Sequence, residues 1–517
     1  MASGHHFSPP ECLCSWQTHI SDNTLVATEV AHFMHKLTSQ EEGFFSLKLD
    51  ISKAYDRLEW PFLHAMLVKL GFLAQWISMV MSCVTSVSYA ILVQGEPSNT
   101  IHPTRGIRQG DPLSPYLFTL CAEGLSALIS QAVDSGEIKG LKMCPQAPIL
   151  HHLFFADDSL LFGAATLEEC HTFRHILNTY ERAFGQKINF QKSSVVFSRN
   201  VHADIQAQVS AILEVKCITE HDRYLGLPLR VGKSEHDRYL GLPLLVGKSK
   251  TQIFQYIKDK VSKKLENWKA KILSCAGKEI LIKAVAQTMP LYAMNCYLLS
   301  KGLCDDVHKL CASFFWGDTE DKKKIHWRSW ERLCLTKQEG CMGFKNLYTY
   351  NLAMLAKQGW RIVTNLSSLI AKLYKARYFP NCDFWQAELG DAPSFLWRSI
   401  LAGRPVLKAG TRWRIGDGTQ INIWNESWIL NCSPCLVQRP THSPVEMVSD
   451  LIDASTKQWI PPIIHGIFQP SVAAKILSIP LAHWNGIDKH YWYPIVGVGT
   501  QSRVLTGLLG NRFLAMP

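Results

Sequence analysis

Two adjacent aspartates, Asp157 and Asp158, sit inside the apolar run LFFADDSLLF at 153–162. The flanking residues predict strands over 150–155 and 159–162, joined by a tight turn at the acidic pair. Two like charges in apolar surroundings are costly unless a cation compensates them or water reaches them. A solvated turn meets the second condition, because aspartate is common in turns. The pair alone therefore leaves both readings open. A third carboxylate shifts the balance. FFSLKLD at 44–50 alternates apolar and polar residues and predicts a strand that delivers Asp50 at its C-terminal end. A strand-end aspartate facing an Asp-Asp turn offers the hard oxygen donors that a pair of divalent cations takes, about 3.5–4 Å apart, in two-metal phosphoryl transfer.

The surrounding pattern supplies a scaffold. DNTLVATEVAHFMHKL at 22–37 predicts a helix with Asp22 or Asn23 as its N-cap. A helix is expected over 59–72, a strand over 86–94, a Gly- and Pro-rich loop over 104–115 and a helix over 116–133. An amphipathic helix over 167–184 and a strand over 187–197 follow. This order predicts an α+β fold, an antiparallel sheet with helices on one face. Residues 220–234 and 235–249 repeat each other at every position except Arg230 against Leu245, which reads as a recent duplication. Residues 251–300 are basic, amphipathic and helical, with a stop at Pro290, and after about residue 312 the chain becomes Trp-rich. There GTRWRIGDGTQINIWNESW at 410–428 predicts a hairpin with Asp417-Gly418 at its turn.

An apolar share of 47% and a charged share of 19% exclude a disordered chain. At 517 residues there is room for more than one domain. The net charge of +11 favours a polyanionic partner, nucleic acid or acidic membrane, through counterion release. Sixteen cysteines, scattered among apolar residues as at Cys83, Cys121 and Cys296, read as reduced core residues of an intracellular protein, nuclear or cytoplasmic and not secreted. Residues 1–15 lack the pattern of a secretory signal, and the apolar stretch 76–93 is too often interrupted by Ser and Thr to span a membrane.

Five segments, in order, resemble the reverse transcriptase of plant LINE-type (non-LTR) retrotransposons. They are LKLDISKAYDRLEW (47–60), GIRQGDPLSPYLFTLCAEGL (106–125), LFFADDSLLF (153–162), FGQKINFQKSSVVFS (184–198) and YLGLPL (224–229 and 239–244). The likeness continues through 265–297 to about residue 428. It implies a right-hand polymerase palm, a helical thumb and a smaller mixed Trp-rich C-terminal region. It further implies an RNA-directed DNA polymerase using two magnesium ions, with manganese as a substitute, on an RNA template, a DNA primer and deoxynucleoside triphosphates. Asp50, Asp157 and Asp158 would hold the metals, with the backbone carbonyl of Ile51 as a further ligand. Tyr55 would lie under the incoming sugar and disfavour a 2′-hydroxyl. Arg108, Gln109 and Gly110 would line the nucleotide and template, and Lys192 would stand near the pyrophosphate as a general acid. Lys263, Lys264, Lys269, Lys271 and Lys278 would track the template–primer backbone. No membrane is implied, and oligomeric state, template and target are not legible.

On this resemblance the chain divides into 1–21, an unrelated or truncated N-terminal segment; 22–219, a fingers remnant and palm; and 220–249, the duplication. Then come 250–312, a helical thumb; 313–430, the Trp-rich region; and 431–517, a tail without clear assignment, with a CxxC at Cys432–Cys435 read as two free cysteines. Against this family the fingers sequence reads as shortened, and endonuclease, ribonuclease H and Cys/His-rich segments are not expected within these residues. Weak or absent polymerase activity of this chain alone is therefore the expectation. The alternative is an inactive retrotransposon remnant that at most binds nucleic acid.

Overall fold

The computed structural model describes residues 20–38, 42–155, 158–219, 250–266, 268, 273–318, 323–429, 445–481 and 486–492. The duplication at 220–249, Asp157, Lys269, Lys271, the CxxC and the segment 493–517 lie outside the described residues. The chain divides into two units. Unit one comprises residues 1–256, 367–382 and 387–396; unit two comprises 257–366, 383–386 and 397–517.

In unit one, the helices are α1 (Ile20–Lys36), α2 (Trp60–Lys69), α3 (Ala74–Thr85), α4 (Ser114–Asp134), α5 (Leu167–Phe184) and α6 (Ala203–Leu213), with Leu369–Tyr378 returning from much later in the chain. The strands are β1 (Phe44–Leu49), β2 (Ile51–Ser52), β3 (Leu92–Val93), β4 (Glu96–Pro97), β5 (His152–Phe155), β6 (Asp158–Ala164), β7 (Lys187–Ile188), β8 (Ser194–Phe197) and β9 (Lys216–Cys217). A mixed sheet runs in the order β5-β6-β1-β8-β9, antiparallel except for the β8–β9 pair.

Strand side chains alternate between the two faces, so one sequence serves two cores. Phe45, Leu47, Leu49, Phe154 and Leu161 join α2 to α6 on one face. Leu153, Leu160 and Phe162 join α1 and Leu373 on the other. The expected single helical face is thus corrected: helices cover both. The second layer escaped sequence reading because part of it comes from the distant 369–378 helix. Gly163, paired with Phe45, has no side chain because a Cβ there would meet the Phe45 ring at 2.9 Å.

Local signals explain the boundaries. The Thr166 hydroxyl accepts from the Glu169 N–H and starts α5, and Gly185 ends it at φ +79°. Asp22 and Asn23, expected as caps, lie inside α1. The 86–94 strand is instead a small hairpin, β3 to β4, turning at Gln94 and Gly95, both at positive φ. Among the described residues one helix, α4, is long and apolar enough to cross a membrane. Its Leu117, Phe118, Cys121, Leu125 and Ile129 are buried in the core of unit one. Cys121 and Cys296 are buried, but Cys83 lies exposed on α3.

Unit two is mostly helical, with helices at Cys275–Leu281, Lys301–Trp316, Leu347–Thr364 and Pro470–Leu477 among others. Trp424, Trp428, Leu451, Ile464 and Ile476 form one of its cores. The hairpin expected within 410–428 does not form. Instead β10 (Thr411–Arg414) pairs antiparallel with β11 (Lys489–Trp492). The Asp417-Gly418 loop is held by the Asp488 carboxylate, which accepts from the N–H groups of Gly416, Gly418 and Gln420. That acceptor lies about seventy residues downstream, beyond the reach of local turn rules.

Candidate nucleotidyl-transfer site

Asp50 leaves the sheet at the end of β1. The β1–β6 register pairs Leu49 with Ser159. Asp50 follows Leu49 and Asp158 precedes Ser159, so both aspartates adjoin the last pair of this ladder. Both aspartates are half-buried. Asp158 also pairs with Phe155 as the first residue of β6. Two of the three sequence-predicted carboxylates thus flank the end of one ladder, with Asp157 next in the chain but outside the described residues. Among the described residues no three His, Cys, Asp or Glu side chains gather closely enough to hold a metal. The described pair is two-thirds of the proposed set, and its oxygens suit a hard divalent ion.

The backbone around Asp50 is held from the β7–β8 connection. The Asp50 N–H donates to the Ser193 hydroxyl at 3.0 Å, and the Asp50 carbonyl accepts from the Asn189 N–H at 2.8 Å. Ser193 in turn donates to the Asn189 carbonyl at 2.9 Å. Ile51, the proposed carbonyl ligand, pairs with Ile188. Sequence reasoning missed Asn189 and Ser193. The strand expected over 187–197 is interrupted by the turn that carries them, and only the Lys192 between them drew notice. Lys192 is exposed on that turn, its backbone N–H bonded to Asn189.

The segment after Asp50 docks the loop that begins near Gly106. The Ile107 N–H donates to the Tyr55 carbonyl, the Gly106 N–H to the Leu58 carbonyl, and Trp60 Nε1 to the Gly106 carbonyl, all at 2.8–2.9 Å. Gly106 has φ +88°, and a Cβ there would stand 2.7 Å from the Asp56 carbonyl oxygen. Gly110 has φ +89° with nothing within 4 Å of its missing Cβ. Its requirement is for backbone conformation and open space. Arg108, Gln109 and Gly110 are exposed. Arg108 and Gln109 line a cavity of about 450 Å³ with Asp56, Tyr89, Arg105 and Gly106. A second cavity, about 320 Å³, lies on the α1 face of the sheet and touches none of the predicted site residues. The Asp111 carboxylate accepts the Leu113 N–H at 2.8 Å and leads the chain into α4. Tyr55 is half-buried, its ring stacked on Phe118 at 5.1 Å.

A third contact was also unforeseen. Asn23 of α1 is buried, and its Nδ2 donates to the Phe154 carbonyl at 2.9 Å, on β5 just ahead of the acidic pair. The thumb lysines separate. Lys263 and Lys264 are exposed on the Lys250–Glu266 helix. Lys278 is buried, and its ammonium donates to the Phe315 carbonyl at 3.4 Å. That engagement turns it inward, away from the solvent face on which a strand would lie.

Residues 6–244 match the family described as reverse transcriptase (RNA-dependent DNA polymerase), from within the first 21 residues through the duplication. An uncharacterized mitochondrial protein of Arabidopsis thaliana is 40% identical over 147 residues, which are 28% of this chain and 96% of that protein. The transposon TX1 149 kDa protein of Xenopus laevis is 23% identical over 344 residues, 65% of this chain and 24% of the relative. The Pol polyprotein of the type-1 retrotransposable element R2 of Popillia japonica is 30% identical over 170 residues, 33% of this chain and 27% of the relative. The chain therefore spans nearly all of the first relative and about a quarter of the two element proteins.

Proposed function

Because the chain belongs to the reverse transcriptases of LINE-type, non-LTR retrotransposons, we propose that unit one is the palm of an RNA-directed DNA polymerase and joins deoxynucleotides to a primer. The observation that carries this is the convergence on Asp50. The last strand pair before it, its chain neighbours and its two backbone partners in the β7–β8 turn come from three of the five motif segments.

Asp50, Asp157 and Asp158 would hold the divalent cations, with the Ile51 carbonyl beside them. Bound there, the ions would ready the primer 3′-hydroxyl and offset charge on the triphosphate. The chain's own residues would do the rest. Tyr55, braced by Phe118, would present its ring to the sugar and exclude a 2′-hydroxyl. Arg108 would face phosphate and Gln109 the base or template, while Gly110 would let the strand approach the backbone. Lys192 would hold the proton delivered to the departing pyrophosphate. On this assignment residues 250–312, with Lys263 and Lys264 exposed, belong to a thumb on the template–primer, and the protein acts inside the cell.

The test is primer extension by the full chain on a DNA-primed RNA template, with magnesium and separately with manganese. Extension should be slow and should fall at least about a hundredfold in Asp50→Asn and Asp158→Asn, with template–primer binding retained. Binding without extension in the unaltered chain would instead identify a remnant. Extension that survives both substitutions would remove Asp50 and Asp158 from the chemistry.

A further inference from the structure

Unit two carries a basic, aromatic loop outside the residues matched to the reverse transcriptase family. Trp327 is 77% exposed and Ile325 70%, unusual for side chains this large in a loop pinned at both ends. At one end, the Asp318 carboxylate accepts the Lys324 N–H at 2.9 Å and binds the His326 ring nitrogen at 3.0 Å. The His326 ring lies near-parallel to Trp316, 6.0 Å away. At the other, Trp330 is buried and stacked on Phe344 at 4.9 Å, and the Arg328 guanidinium reaches the Cys341 sulfur at 3.3 Å. Between these anchors the Trp327 indole is held out toward solvent.

Charge selects the ligand. Between 323 and 337 the chain has Lys323, Lys324, Arg328, Arg332 and Lys337 against one acid, Glu331. Glu320 and Asp321 precede the loop but lie outside the described residues. An exposed indole among cations offers a polyanion both a stacking face and phosphate contacts. In a duplex the base faces are covered by their neighbours. A lone indole therefore gains from stacking only where a base is unpaired.

We propose that residues 323–332 form a stacking platform for an unpaired nucleic-acid strand, with Trp327 against a base and Lys323, Lys324 and Arg332 along the phosphates. This site does not depend on the polymerase reading, since it requires no nucleotide and no catalytic aspartate.

The experiment titrates the full chain, without nucleotides, against labelled single-stranded RNA and DNA of about twenty nucleotides and a blunt RNA–DNA hybrid of the same length, by fluorescence anisotropy at several salt concentrations. Trp327→Ala should weaken single-strand binding about tenfold and leave hybrid binding unchanged, while Trp327→Phe recovers most of the loss. Lys323→Ala with Lys324→Ala should reduce the salt slope by between about one and two. Crosslinking of a 4-thiouridine strand should map to the 323–337 peptide. Equal RNA and DNA affinities would support recognition by stacking and phosphate; RNA preference would support it with a 2′-hydroxyl contact. Unchanged single-strand affinity in Trp327→Ala, or an equal loss for the hybrid, would overturn the proposal. So would concentration-dependent self-association abolished by Trp327→Ala while strand affinity stays constant. Primer extension, measured separately, can fail without touching these outcomes.

Discussion

Glu29 of α1 tests whether the returning segments 367–382 and 387–396 are integral to unit one. Its carboxylate is fully buried. It accepts the Tyr378 hydroxyl at 2.7 Å, the Tyr374 hydroxyl at 3.2 Å and the Ser394 hydroxyl, and faces the Arg377 guanidinium at 3.4 Å. Arg377 also donates to the Glu29 carbonyl at 3.2 Å, and its side chain is only 15% exposed. Glu29→Ala leaves that guanidinium buried without this counterion and removes the carboxylate that three hydroxyls share. Removing one partner of a buried pair costs about 3–5 kcal/mol. Glu29→Gln keeps an acceptor oxygen and loses the charge, so its cost should be nearer 1.5–3 kcal/mol, roughly the worth of hydrogen bonds to a charged group. Glu29→Leu with Arg377→Met removes both charges together and should be milder than Glu29→Ala. Denaturant titration gives the free energies, and hydrogen exchange read on peptides from α1 and 369–378 assigns them to unit one. A loss below about 1 kcal/mol in Glu29→Ala, a value typical of exposed pairs, would refute the reasoning. So would unaltered exchange in both peptides.

Two further predictions concern unit one. Burial lowers His151 from the ordinary histidine value to about 4 and holds His152 well below it, and the two Nδ1 atoms are 2.7 Å apart. The unfolded rings take protons near pH 6.5 and the folded rings resist them. The stability these rings contribute is therefore complete above about pH 6.5 and is lost as pH falls toward 4. Denaturant midpoints of the unaltered chain should drop from pH 7 to pH 5, and His151→Gln with His152→Gln should flatten the drop; an equal slope in both would contradict the assignment. Gly106→Ala combines positive φ with a Cβ 2.7 Å from the Asp56 carbonyl and should shift the loop, whereas Gly110→Ala meets only the backbone penalty of about 1–2 kcal/mol. Protease sensitivity of the 104–113 loop should rise more in Gly106→Ala, and the reverse order would count against the docking described.

What was legible in the sequence is what depends on near neighbours. The 167–184 helix is bounded by Thr166 and Gly185, a side-chain cap and a left-handed glycine that act within one turn. The strands around the acidic pair follow from apolar residues a few positions apart. Most of the errors lie where a partner is remote. Residues 86–94 are β-branched and aromatic enough for a strand, and within them Tyr89 and 91–93 pair with the nearby 96–101 as an irregular hairpin rather than joining the main sheet. Residues 410–414 found a strand partner at 489–492, and the downstream Asp488 took up the backbone donors of the Asp417-Gly418 loop. Lys278 reads as one more cation in a basic helix until its bond to Phe315 is seen.

The candidate site was legible as an inventory of charged side chains and invisible as a set of supports. Asp50, Asp158, Arg108 and Lys192 announce themselves by charge or motif. Asn189, Ser193 and Asn23 are neutral residues whose value lies in which backbone group they face. The Asp50 peptide is held from both sides by one turn, through Ser193 on its N–H and Asn189 on its carbonyl. The β5 strand is held through the Phe154 carbonyl by a helix that begins the described chain. Fixing a carboxylate by its backbone leaves the side-chain geometry set by strand register rather than by a competing side-chain bond. On the proposed assignment, that arrangement would keep the carboxylate in a defined place for a cation. The turn at 189–193 that interrupts the expected strand is what supplies both of these backbone contacts to Asp50.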